Sequence, residues 1–502
     1  MNIQQAKQEI IHTLQAYLRK DPLGSYLFPT LRQRPILLMG PPGIGKTAIM
    51  EQVAEECGVG LVAYTITHHT RQSAIGLPRI ETKVYDGKEV SVTEYTMSEI
   101  IASVYEAMES SGIREGILFL DEINCVSETL APTMLQFLQN KTFGSHRVPE
   151  GWIIVAAGNP PEYNKSVREF DIVTLDRVRQ IDVEADVDIW LDYARAKHLH
   201  GAILSYLSAK KDRFYKISRT ADSLCFVTAR GWEDLSEILL GYEALQAPVT
   251  ESLMGQYLRC EATARDFASY YTLFQKYRTD YAAEEILDGT LSPDRYDEKV
   301  AMAAGAPFDE RLTVVNLILS VLQASLSRYL RQDRLVTRLH ELLRQYRTSG
   351  QSLEAFLLSG KQALEVKIAH GLLSPEDIQQ EKQVWNRLTE LELEVKARHI
   401  RQSEEQFALL RELFEADVGQ RLELVSQIRS QLHRSFRFVR DSFGDGQEMI
   451  LLVSALTRMP DALEFIRMHG SPDYLQYADL LLFRQREAEL QQACKALRQT
   501  TE

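Results

Sequence analysis

Gly40-Pro41-Pro42-Gly43-Ile44-Gly45-Lys46-Thr47 sets glycines, a lysine and a threonine at the spacing G-x-x-x-x-G-K-[ST], and those residue types together can hold a chain of phosphates. The glycines let the backbone curl until successive N–H groups point inward at phosphate oxygens, and a helix starting on the loop adds its positive end. Lys46 would reach the β- and γ-phosphates of a nucleotide, and Thr47 would offer its hydroxyl to Mg2+. Further along, Gly116-Ile117-Leu118-Phe119-Leu120 runs into two carboxylates, Asp121 and Glu122. Asp121 is expected near the Mg2+ held by Thr47, and Glu122, one residue on, is expected to polarise an attacking water. Phosphoryl transfer asks little covalent chemistry of a protein; it needs metal-held phosphates, an oriented water and positive charge near the transition state.

Those residues need particular elements beneath them. The apolar run Pro35–Met39 reads as a strand that delivers the loop, and Ala48–Val53 as the helix that leaves it. The run before Asp121 reads as a buried parallel strand, because such strands are apolar on both faces, and ligands of open α/β sheets bind beyond the strands' carboxyl ends. A third apolar strand, Trp152 to Gly158, ends in Asn159-Pro160. Between loop and acids, residues 80–95 approximate alternation about Asp86-Gly87, a β-hairpin signal, and a second turn-rich element covers 142–151. From Asp186 the period becomes helical, with Thr228-Ala229-Arg230-Gly231-Trp232 opening a helix. Beyond about residue 290 there is no catalytic motif. Leu388, Leu391 and Val395, and Val425, Ile428 and Leu432, recur at helical spacing, which suggests long amphipathic helices, with an antiparallel pair among the arrangements they allow. Such a region serves either as a structural bundle or as a docking arm for a partner.

The chain has 502 residues and a formal net charge of -13. That acidic balance counts against a nucleic-acid motor, which needs clustered Lys and Arg. No unbroken apolar run has the length of a membrane span, and the first residues lack a signal-peptide pattern, so a cytoplasmic protein without a membrane span is expected. The five cysteines are scattered and are expected to act as small apolar residues in a reducing compartment. His68-His69 has no matching ligand cluster, and His198-x-His200 is expected on a helix at a spacing that splits faces, so no metal beyond nucleotide-bound Mg2+ is expected.

The loop, the Asp121-Glu122 pair and the strand ending in Asn159 together resemble an AAA+ ATPase, and most closely the MoxR-like and dynein-related group. The resemblance covers roughly residues 30 to 260. It implies an α/β P-loop core over 1–185 with inserted β-hairpins, a helical lid over 186–285, and a helical C-terminal domain over 286–502. It implies ATP with Mg2+ as cofactors, hydrolysed in a hexameric ring. By resemblance, Asn159 is the residue that bonds the attacking water or the γ-phosphate, and Arg230 approaches the phosphates from the lid. Leu175-Asp176-Arg177-Val178-Arg179 resembles the stretch whose arginine serves a neighbouring subunit's nucleotide; Arg177 is favoured, Arg179 stays the alternative, and Val178 departs from the family's aromatic residue. The implied function is remodelling of a protein client, with a partner carrying a von Willebrand factor A-type domain. The alternatives are a nucleotide-dependent scaffold or switch for such a partner, and a nucleic-acid motor.

Overall fold

The computed structural model describes residues 1–66, 76–85, 88–128, 130–144, 146–163, 167, 170–219, 224–369, 375–398 and 403–479. His68, His69, Asp86, Gly87, Ser145 and Cys494 lie outside the described residues. The chain forms two compact units: Met1–Trp190 with Phe214–Ser218 and Phe226–Trp232, and Leu191–Arg213 with Arg219–Cys225 and Glu233–Glu502.

In the first unit, helix α1 (Ile3–Tyr17) precedes strand β1 (Ile36–Met39), α2 (Ala48–Cys57) and β2 (Gly60–Thr65). A ribbon, β3 (Pro78–Tyr85) and β4 (Lys88–Tyr95), comes before α3 (Glu99–Ser111), β5 (Gly116–Asp121) and α4 (Ala131–Asn140). The short ribbon β6 (Thr142–Phe143) and β7 (His146–Arg147) is followed by β8 (Trp152–Gly158), the one-turn α5 (Ile172–Leu175) and β9 (Arg179–Asp182). Five strands make one parallel sheet in the order β2-β5-β8-β1-β9. Alternate residues of each inner strand enter different cores. Leu38, Phe119 and Val155 pack with residues of α1 and α2, whereas Leu37, Leu118 and Ile154 pack with residues of α3 and α4. Burial on both faces is why these strands read as unbroken apolar runs. This is the α/β P-loop core expected from the sequence. From β1 the chain goes to the far edge at β2 and later returns to the other neighbour of β1 at β9, so a crevice opens at the carboxyl end of β1. The expected hairpin between loop and acids forms as β3–β4, with its ladder running from Pro78↔Tyr95 to Tyr85↔Lys88.

Beyond β9 the chain is mostly helical: α6 (Val187–Ala196), α7 (Gly201–Ala209), a ribbon of β10 (Lys216–Arg219) and β11 (Leu224–Val227), then α8 (Ala229–Ala244). There follow α9 (Glu251–Tyr257), α10 (Glu261–Tyr281), α11 (Ala283–Asp288), α12 (Pro293–Ala304), α13 (Phe308–Ser349), α14 (Leu353–Ala369), α15 (Pro375–Ala397), α16 (Ser403–Phe443), α17 (Gln447–Arg458) and α18 (Pro460–His469). The segments expected as lid and C-terminal domain both contribute to the second unit.

An antiparallel helix pair is present, but between α13 and α16. Arg328 donates to Gln427 at 2.8 Å and Arg421 donates to Asp333 at 3.2 Å, so residue numbers rise on one helix as they fall on the other. The two apolar seams seen in the sequence do not pair with each other. Val425, Ile428 and Leu432 pack on Val315 to Leu330 of α13, whereas Leu388, Leu391 and Val395 of α15 join a separate core with Leu339 to Tyr346 of α13. Helix α13 is long and apolar enough, by length and composition alone, to cross a membrane, yet 61% of its apolar stretch is buried, as in any bundle core.

Two local expectations fail in this unit. Cys225 of β11 and Cys260, the residue before α10, form a disulfide across 35 residues of sequence, with Cα atoms 4.5 Å apart. Spacing along the chain carries no trace of that approach. His198 and His200 lie in the turn between α6 and α7 rather than on a helix, and His200 caps α7 by accepting from the N–H of Ala202 at 3.1 Å.

Candidate active site

Three strand ends meet where β1, β5 and β8 finish side by side, with Met39 in register with Gly158. The loop after β1 needs left-handed backbone at Gly43 (φ 72°) and Gly45 (φ 92°), a region that side chains with a Cβ rarely adopt. Among the described residues, the N–H groups of Gly43, Ile44, Gly45, Lys46 and Thr47 find no acceptor in the protein. Five unpaired donors in a row at the start of α2 form a concave nest for an anion.

Lys46 is buried, and its ammonium is fully engaged. It donates to Gly40 O at 2.9 Å, Pro41 O at 2.8 Å and Asn159 Oδ1 at 2.9 Å. Burial pulls its pKa down to about 8; the charge on Arg230 acts in the same sense, while the carboxylates of Asp121 and Glu122 oppose it. The hydroxyl of Thr47 donates to Asp121 Oδ2 at 3.0 Å, and the other carboxylate oxygen of Asp121 accepts from the N–H of Glu122 at 2.9 Å. Glu122 itself has φ 56°, an uncommon conformation for a residue with a side chain, so the chain turns sharply off β5 there. The site thus gathers Lys46, Thr47, Asp121, Glu122 and Asn159.

Arg230 belongs to the same unit and reaches the loop from the start of α8. Its N–H donates to Gly43 O at 3.3 Å, and a Cβ on Gly43 would stand 3.3 Å from Thr228. The segment is anchored by buried Trp232, whose indole N–H donates to Phe214 O at 3.0 Å. Arg177 is not brought to the loop. It is exposed on the turn after α5 and donates to Gln139 of α4. Arg179 lies in β9, and its guanidinium is taken by Glu9 and Thr13 of α1. Of the two arginines, Arg177 is the one without a carboxylate partner among the ion pairs of the described residues.

Two residues of the site went unnoticed in the sequence. Asn124 is 2% exposed, and its side chain bonds both backbone groups of Asn159. Its only signal was its place three residues after Asp121. Tyr215 donates its hydroxyl to Pro42 O at 3.0 Å and steadies the loop from outside; nothing near it in the sequence marks it.

The donor set suits Mg2+: one hydroxyl and one carboxylate, with room for phosphate oxygens and water, is how this reluctantly dehydrated cation is usually held. Thr47 and Asp121 would hold it, and when bound it would offset charge on the phosphates.

Residues 36–175 match the family model described as ATPase family associated with various cellular activities (AAA). A stretch of 129 residues is 28% identical to a Lon protease of Fusobacterium nucleatum subsp. nucleatum, covering 24% of this chain and 15% of that one. The crystal structure of a candidate ATPase from Cytophaga hutchinsonii matches 38% of this chain and 49% of that chain at 15% identity, with a TM-score of 0.24, too low to bear on fold or function. The phosphate-type loop and strands β1, β2, β5 and β8 of the parallel sheet lie inside the matched stretch, so residues 36–175 are similar to an AAA ATPase domain in sequence.

Proposed function

We propose that the chain is a Mg2+-dependent ATPase of MoxR-like type, in which hydrolysis at the interfaces of a hexameric ring drives remodelling of a protein client. The observation that carries the catalytic part is the three-way bond of Lys46 to Gly40, Pro41 and Asn159, beside the Thr47–Asp121 pair and beneath five unpaired N–H groups. In this reading the N–H nest and Lys46 bind phosphates, Thr47 and Asp121 hold the metal, and Glu122 orients and deprotonates water. Asn159 bonds that water or the γ-phosphate, and Arg230 adds positive charge from the lid side. Arg177 acts on a neighbouring subunit's nucleotide, which its exposed position and a neutral hydrogen-bond partner, Gln139, favour. The exposed apolar side chains of Ile80, Val84 and Val90 on β3–β4 suit contact with a polypeptide. A partner with a von Willebrand factor A-type domain rests on the family resemblance alone.

The test is a pair of variants. Lys46→Ala should lose nucleotide binding, whereas Glu122→Gln should keep binding and lose turnover by about 100-fold or more, the usual contribution of a general base. A Glu122→Gln protein with wild-type turnover would sink the assigned role.

One observation favours a second reading, a nucleotide-dependent scaffold or switch. The second unit builds two helices of 42 and 41 residues whose described core residues belong to that unit itself, outside the nucleotide chemistry. A Glu122→Gln protein that traps a client complex in ATP, beside a wild type that never unfolds or extracts that client, would select the switch.

A further inference from the structure

The turn that follows Asp121 places one buried amide against the backbone of the residue that touches Lys46. Glu122 enters the left-handed region, the N–H of Ile123 donates to Ala157 O at 2.9 Å, and the N–H of Cys125 donates to Glu122 O at 2.9 Å. These bonds fix Asn124 beside the end of β8. Its Nδ2 donates to Asn159 O at 2.8 Å, and its Oδ1 accepts from Asn159 N at 3.3 Å. Only an amide offers a donor and an acceptor at that separation, and only one orientation of it satisfies both groups. Gly158 supplies the space: a Cβ there would stand 2.6 Å from Asn124 Oδ1 and 2.9 Å from its Cγ.

We propose that Asn124 is a positioning residue that clamps the backbone of Asn159 so that the Asn159 side chain stays on Lys46, and thereby sets the rate of hydrolysis without contributing to nucleotide affinity. This rests on the ATPase reading above. Asn159 stands just past the last β8 residue in register with β1, so the sheet ladder does not hold it; the clamp does what the ladder would. Without the clamp, two half-buried backbone groups lose their partners, and the chain at Asn159 is free to shift by the fraction of an ångström that separates a productive contact from a poor one. The N–H groups of the loop, Thr47 and Asp121 make no bond to Asn124, so the phosphate nest and the metal donors keep their places and only the Lys46–Asn159 contact depends on the clamp.

The experiment uses the full chain and measures both affinity for a fluorescent ATP analogue with Mg2+ and steady-state turnover. Asn124→Ala is expected to lower kcat about ten- to a hundredfold while KM moves less than about threefold, the scale of a small misplacement near reacting atoms. Gly158→Ala, which leaves Asn124 in the sequence but drives a methyl into its amide, should reproduce that split, and it carries the test if Asn124→Ala does not fold. The double variant Asn124→Ala/Asn159→Ala should be no slower than Asn159→Ala alone, because a residue that acts only through Asn159 has nothing left to position. Wild-type turnover in either Asn124→Ala or Gly158→Ala, or losses that multiply in the double variant, would overturn the clamp. A wild-type chain that turns over no ATP overturns the ATPase reading itself, a different result from a wild-type ATPase whose Asn124→Ala variant is equally active.

Discussion

The ammonium of Lys46 has three protons and three acceptors, Gly40 O, Pro41 O and Asn159 Oδ1, so a phosphate oxygen can be bonded only by giving up one of them. The bond to Asn159 is the one that links the loop to the third strand. The buried charge also has a pH signature. Its pKa in the fold is about 8, below the 10.5 of an ordinary lysine, so folding releases a proton between those values. The cost of burying the charge is fully present below about pH 8, is on the order of 3 kcal/mol, and disappears as pH rises toward 10.5. A bound phosphate reverses the local field and raises the pKa again, so binding takes up a proton once the free site begins to neutralise. Affinity for a Mg2+-nucleotide should therefore fall as pH rises through about 8, by up to roughly tenfold per pH unit. Titrations between pH 7 and 9.5 would check this, with Arg and phosphate groups unchanged over that range; a flat profile would show that Lys46 is not the phosphate's partner.

At the scale of elements, the disulfide between Cys225 and Cys260 ties β11 to the N-cap of α10. Closing a loop across 35 residues should add about 4 kcal/mol by restricting the unfolded chain. Three of the five cysteines should then react with a thiol reagent in denaturant without reductant, and added reductant should lower the urea midpoint; five reactive thiols with no shift in midpoint would count against the bond. This tie is also where the sequence was least legible. Strands β1, β5 and β8 announce themselves because both faces are buried, and the loop because its residue types recur at a phosphate-binding spacing, which in turn draws attention to Asp121-Glu122 at the end of an apolar run. Asn124 was hidden because its role depends on a missing Cβ at Gly158, thirty-odd residues away, and on a left-handed turn at Glu122 that no pattern marks. The helical seams were visible but their pairing was not. Helix α13 presents its first half to one core and its second half to another, so the two seams meet different stretches of one helix rather than each other. Periodicity reports that a face is buried, not what buries it.

At the scale of the whole molecule, the candidate site has a loop, acids and Asn159 within one unit, but its Arg177 is held elsewhere, on Gln139. The one-turn helix just before it, capped by Asp171, exposes Ile172, Val173 and Leu175, with Ile172 84% exposed. Three apolar side chains on four residues are costly to leave in water, so the face beside Arg177 suits cover by a second copy. Arg179, two residues on, is spent on Glu9 and Thr13 and is expected to matter for stability instead. The ring reading makes a definite demand on mixtures. Subunits carrying Arg177→Ala retain a competent cradle, and subunits carrying Lys46→Ala retain a competent arginine, so each should be inactive alone. Mixed in equal amounts and assembled at random head to tail, roughly one interface in four joins a good cradle to a good arginine, and turnover should recover toward that fraction of wild type if interfaces act independently. Recovery should vanish when one variant carries both changes. Mixtures shown to assemble but remaining inactive would assign Arg177 to its own subunit's site, whereas an Arg177→Ala chain active on its own would shift the role to Arg179, whose Ala variant would then have to lose turnover without losing stability.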